Sequence, residues 1–131
     1  MIGLDTNVLV RYIAQDDPRQ AAKAVLLIER ECSEIRPGFI TTVALAELVW
    51  VLEDCYRTSK EEIVAILQRV LRTKQLAVED SETAWIALRL FEATGAHFAD
   101  CLIDRVGAAH QCEYTATFDK GAAKAGMRLI G

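Results

Sequence analysis

Short apolar runs alternate with helix-length segments from one end of the chain to the other, and this alternation most narrows the folds open to it. Residues 2–5, GFITT, KQLAVED, CEYTATFD and MRLI read as strands, giving five in all. Between them stand segments with helical signals. Residues from Asn7 to about Ala14 keep helical spacing. DDPRQAAKAVLLIER opens with Asp17 as N-cap, Pro18 at the first helical position and Gln20 placed to reach back as in a capping box. The pair Pro37 and Gly38 marks a turn. TTVALAELVWVLEDCYR is entered through Thr41 or Thr42. It is apolar nearly all round from Val43 to Leu52, which predicts cover on both sides, from the sheet and from a neighbouring helix or another subunit. SKEEIVAILQRVLR starts with a Ser59–Glu62 capping box and shows one apolar face through Ile63, Ile66, Leu67 and Val70. SETAWIALRLFEATG, stopped by Gly95, and AHFADCLIDRVGAAHQC complete the set. Strands alternating with helices predict an α/β fold, with a central, mostly parallel five-stranded sheet covered by helices on both faces.

A chain of 131 residues can bury a sizeable core and suits a single domain over 1–131. No apolar run approaches the roughly 18 residues of a membrane span, and the basic start of a signal peptide is missing, so a cytoplasmic protein without membrane contact is expected. Cys32, Cys55, Cys101 and Cys112 lack zinc or redox spacing and are expected to be reduced and mostly buried. The net charge of −4, from 15 basic and 19 acidic residues, argues against a large basic nucleic-acid surface. A small acidic site is compatible with it: setting four carboxylates aside leaves 15 acids against 15 bases.

Four carboxylates stand where a fold of this class spends them with a purpose. In open parallel sheets ligands sit beyond the carboxyl ends of the strands, and Asp5 in MIGLDTN and Asp119 in TATFD fall at such ends. Glu47 shares its helical face with Ala44, Leu48 and Val51, an expensive place for an ionised group that has no partner or cation. A place at the edge of the stripe, or an Arg partner, would also account for it. Asp100 lies in the first turns of its helix, where the dipole favours the ionised form; a routine first-turn acid is the alternative. Asp104, four residues on, is read as a solvated acid pairing with Arg105 or Arg11, with a role behind the metal ligands as the minority reading. Carboxylates without matched bases suit a hard divalent cation, which can activate water for phosphodiester hydrolysis. No GxSxG, P-loop or GxGxxG motif competes. His97 and His110 are too few for a His-based metal centre, and His110 is read as a partner for a helix C-terminus.

LDTNVLVRY, ITTVALAELVWVL, FADCLI and TATFDKG, in this order, resemble the PIN domain and, within it, the VapC-type toxins of bacterial toxin–antitoxin pairs. The resemblance implies a PIN-like three-layer sandwich and a Mg²⁺- or Mn²⁺-dependent endoribonuclease, the toxin of a type II pair. It places Asp5, Glu47, Asp100 and Asp119 in the catalytic site, with Asp5, Asp100 and Asp119 on the metal. Thr6, Asn7 and Thr117 take supporting positions that orient carboxylates or water. Asp104 departs from the family pattern, which commonly has Ala there. The implied partners are an RNA substrate, a cognate antitoxin and a second copy in a homodimer.

Two readings compete. A receiver-like signalling domain is also a parallel α/β unit, but it needs an acidic pair after the first strand and an isolated Asp at a middle strand end; Asp80 is the nearest candidate and reads as a helix cap. A non-catalytic PIN scaffold would keep the fold for binding alone. Arg11, Lys120 and Lys124 are the cations nearest in sequence to Asp5 and Asp119, so recognition of RNA at one focused groove is expected. Trp50 with Val51, or Trp85 with Leu88, are candidates for a partner-facing surface.

Overall fold

Asp5 stops the first strand almost as soon as it begins: β1 spans only Ile2–Gly3, and α1 (Thr6–Ala14) follows at once. The computed structural model describes residues 1–131, which divide into two units, Met1–Glu79 and Asp80–Gly131.

In the first unit, α2 (Pro18–Leu26) starts as read, with the Asp17 side chain accepting from the Gln20 N–H at 3.1 Å. The Gln20 side chain does not complete a capping box; it accepts a hydrogen bond from Arg11 Nε at 2.6 Å. A π-helical turn, Leu27–Glu31, continues α2. β2 (Gly38–Ile40), α3 (Thr42–Asp54), α4 (Lys60–Arg72) and β3 (Leu76–Val78) complete the unit. Thr41 and Ser59 cap α3 and α4, accepting from the Ala44 and Glu62 N–H groups at 3.0 and 3.2 Å. The strands form one parallel ladder in the order β1-β2-β3, so their carboxyl ends share an edge. Gly38 belongs to β2 and not to a turn. A Cβ there would stand 2.7 Å from Leu4 Cδ1 and 3.2 Å from Cys32 Sγ, so only glycine lets the buried Leu4 pack against the strand. Leu9, Ile28, Ile40, Leu48, Ile63 and Leu67 are fully buried, which explains why the apolar faces read from α1 and α4 form at all.

α3 is open on one side within the single chain. Leu45, Leu48, Val49 and Leu52 are buried, but Val43 is 69% and Trp50 59% exposed, and Glu47 lies exposed between them. This is the side that the sequence assigns to a neighbouring helix or another subunit.

The second unit holds α5 (Ser81–Ala93), α6 (Phe98–Ala109), β4 (Ala116–Thr117), a short α7 (Lys120–Ala123) that the sequence reading missed, and β5 (Arg128–Leu129). α5 packs on α6, with the Phe91 and Phe98 rings edge to face at 5.7 Å. Leu88 is part of this core, so it has no partner-facing role, and Trp85 beside it is half-buried.

The five strands do not form one sheet. β4 and β5 make a second parallel ladder, Ala116↔Arg128 and Thr117↔Leu129. The shortness of β4 has a local cause. Thr117 Oγ1 accepts the Asp119 N–H at 3.0 Å, and Asp119 Oδ1 accepts the Gly121 N–H at 2.9 Å. These side chains take up the N–H groups that a longer strand would offer to a ladder, and they turn the chain into α7 after two strand residues.

No cysteine forms a disulfide. Cys32 and Cys101 are buried while Cys55 and Cys112 are exposed, so the thiols are less buried than expected. No helix is long and apolar enough to cross a membrane.

Candidate functional site

β1 delivers Asp5 to the carboxyl-terminal edge of the first unit's sheet, where it is exposed and occupies the N-cap position of α1. Its backbone carbonyl accepts from the Val8 N–H at 3.0 Å, yet its side chain makes no capping hydrogen bond. Asp17, Thr41 and Ser59 all cap with their side chains in the same unit. Asp5 therefore holds a cap position without using its carboxylate for the cap.

The next residue brings in the second acid. Thr6 is buried, and its Oγ1 donates to Glu47 Oε1 at 2.8 Å, linking the first turn of α1 to the second turn of α3. Glu47 is thus neither buried in the apolar stripe nor paired with an Arg. It sits at the exposed edge of α3, oriented by a hydroxyl. Asn7, in the first turn of α1, is exposed. Nearby, Glu79 follows β3 and accepts the Thr42 N–H at 2.9 Å, fixing the N-terminus of α3 at the same sheet edge. Sequence reasoning missed this role for Glu79; a carboxylate directly after a strand was the available signal.

Arg11 is committed within its own unit. Nη1 pairs with Asp16 Oδ1 at 3.2 Å and Nε with Gln20, so it is not a bare cation beside Asp5. Asp16 also accepts from the Tyr56 hydroxyl at 2.8 Å; chiefly this bond, with help from Arg11, holds its carboxyl below the ordinary value of 3.8. Tyr56 is pushed up by the same bond.

In the second unit, Asp100 is half-buried in the first turn of α6, as read. Asp119 is exposed and caps α7 through Oδ1, while Thr117 holds its backbone N–H. His97 takes the N-cap position of α6 without a side-chain cap, and His110 ends that helix with Nδ1 3.0 Å from the Val106 carbonyl oxygen. Asp104 pairs with Arg105, as one reading had it, but it is not solvated. Its side chain is 6% exposed and its Oδ2 accepts from Arg105 Nε and Nη2 at 2.9 and 2.5 Å. Gly126, at φ +109°, lies against this carboxylate, and a Cβ there would meet Asp104 Oδ2 at 3.4 Å. Burial, two hydrogen bonds from Arg105 to one oxygen and the packing against Gly126 give Asp104 a structural post.

The acids thus stand as two sets, Asp5 with Glu47 in one unit and Asp100 with Asp119 in the other. Within neither unit do three or more carboxylate, imidazole or thiol groups gather as a metal cluster. The four acids singled out in the sequence carry only carboxylate oxygens, the donor type that a hard divalent cation takes.

A family model described as PIN domain matches residues 2–126. Comparison with curated proteins and with solved structures finds no match.

Proposed function

The chain belongs to the PIN domain family, whose fold is of nuclease type, and on that footing we propose that it is a metal-dependent endoribonuclease. In this reading Asp5, Asp100 and Asp119 hold Mg²⁺ or Mn²⁺ and Glu47 completes the catalytic set. The ion supplies charge stabilisation at phosphorus and lowers the pKa of bound water. The protein's own part is to orient: Thr6 fixes one oxygen of Glu47, Thr117 fixes the backbone at Asp119, and the early end of β1 presents Asp5 at the sheet edge. The observation that carries the reading is Asp5 itself, a carboxylate at a strand end and a helix N-cap whose side chain does not cap.

We extend the proposal to the toxin of a type II toxin–antitoxin pair, working on RNA in the cytoplasm, silenced by an antitoxin and paired as a homodimer. The sequence pieces LDTNVLVRY and TATFDKG support the VapC-type assignment, and the exposed Val43 and Trp50 offer a face for a protein partner. The family match sets the receiver-like alternative aside. A non-catalytic scaffold that keeps the fold for binding alone is the second reading.

Cleavage of total bacterial RNA with Mg²⁺ or Mn²⁺, set against EDTA and against Asp5→Asn, separates the two. Discrete metal-dependent fragments that vanish in a folded Asp5→Asn variant are expected. Fragments that persist in that variant, or in EDTA, refute the assignment of Asp5.

A further inference from the structure

The ladder β4–β5 leaves uncovered a group of side chains that neither the core nor the acidic site accounts for. Phe118, between Thr117 and Asp119, is 82% exposed and is the most exposed aromatic ring in the chain. Tyr114, just before β4, is 44% exposed. The guanidinium of Arg128, on β5, lies over its ring with Cζ 3.7 Å from the centroid. Arg128 is itself exposed and makes no ion pair with a carboxylate, and Lys120 is exposed just beyond Asp119. A planar cation stacked on an aromatic face still has a second face to offer, and a bare phenyl ring offers another.

Aromatic rings interleaved with cations are how proteins hold single-stranded nucleic acid: the bases stack on rings and guanidinium planes while the cations answer the phosphates. Protein interfaces also favour Tyr, Phe and Arg but are depleted of Lys, and the exposed Lys120 two residues from Phe118 favours a phosphate-bearing strand. The charge balance points the same way. Once four acids are set aside the chain has 15 bases against 15 acids, so there is no net positive charge to hold a strand of RNA, and stacking would add to the few local cations. We propose that the β4–β5 edge is a stacking platform for the bases of single-stranded RNA, with Phe118 and the Arg128–Tyr114 pair as its two surfaces, next to Asp119. This rests on the ribonuclease reading and adds to it the surface that holds the strand.

The test is fluorescence anisotropy with a labelled single-stranded RNA of about ten nucleotides, a length within the site sizes such surfaces cover. It is run with Mg²⁺ in the Asp5→Asn background, so that the strand stays intact. Phe118→Ala is expected to weaken binding about tenfold, inside the roughly five- to 150-fold range that loss of one stacked base spans, with the salt dependence unchanged. Arg128→Ala is expected to weaken binding and also to lower the salt slope by about 0.7, one phosphate's worth on a single strand. Phe118→Trp should restore affinity and Phe118→Leu should not, while Ile35→Ala, at a 97% exposed position given no role, should change nothing. Because Phe118 is exposed, thermal unfolding of its variants should match the background protein.

Unchanged RNA affinity in Phe118→Ala, with cleavage by the wild-type chain intact, would overturn the platform and leave the ribonuclease reading standing. Absence of both binding and cleavage would remove both. Rescue by Phe118→Leu as good as by Phe118→Trp, or a dimer-to-monomer shift in light scattering at constant RNA affinity, would assign the face to a second copy of the chain and overturn the platform.

Discussion

Replacing Thr6 by Val and by Ser should separate stability from activity in opposite senses. Thr6 is 8% exposed and donates to Glu47 at 2.8 Å. Thr6→Val keeps the shape and removes the donor. A hydrogen bond to a charged group contributes about 1.5–3 kcal/mol when both partners are buried, but Glu47 is exposed and water replaces the hydroxyl. The loss should therefore fall to about 1 kcal/mol, partly offset by burying a methyl group in place of a polar one. The melting temperature should move by less than about 4 °C for a chain of this length.

Activity should respond much more. With Thr6→Val nothing anchors Oε1 of Glu47, and a misplacement of about 1 Å in a catalytic group can cost on the order of 100-fold. We expect cleavage to fall at least tenfold. Thr6→Ser reverses the pattern: the hydroxyl stays, so cleavage stays within about threefold, while the lost buried methyl costs about 1 kcal/mol. The assays are urea unfolding followed by tryptophan fluorescence and initial cleavage rates on one RNA at saturating Mg²⁺. If Thr6→Val cleaved within twofold of the parent, Thr6 would be an ordinary helix-start residue and the positioning argument would fail.

The Asp104–Arg105 pair should be asymmetric: Arg105→Ala leaves a buried carboxylate unpaired and should cost about 3 kcal/mol, at the low end for a buried pair because Arg105 is a third exposed. Asp104→Ala frees a guanidinium that can reach water and should cost only about 1 kcal/mol; equal losses in urea unfolding would contradict the burial argument. Asp16 gives a pH signature. Its folded-state value lies below 3.8, so the stability it contributes is fully present above the unfolded value and is lost as the pH falls through the folded one. The stability gap between the parent and Tyr56→Phe should be open at neutral pH and narrow on acidification below roughly pH 4, and a gap that widened there would reverse the sign of the linkage. Gly38→Ala should destabilise the first unit by about 1–3 kcal/mol through overpacking against Leu4, measured by the same unfolding assay. A neutral outcome would mean that Leu4 has room to move.

Features decided by neighbours in the chain were legible in the sequence. Asp17, Thr41 and Ser59 cap as read, because an N-cap is a bond across three residues and needs no distant partner. The helices of the first unit lie where periodicity put them, and Asp5 stands at the end of a parallel strand because the apolar run stops there. Everything that depends on which surfaces meet was decided by tertiary structure. Gln20 turned to Arg11 and away from its own helix end, and Glu47 found a hydroxyl 41 residues away in place of an Arg or a buried stripe. Asp104 went inside with Arg105, where a solvated acid had been expected. The five strands parted into ladders of three and two, and Thr117 and Asp119 ended β4 after two residues by turning the chain. Helical periodicity and capping are local and survive any packing; the partners of a carboxylate and the edges of a strand are set only when distant segments compete for them, and one sequence read alone carries no term for that competition.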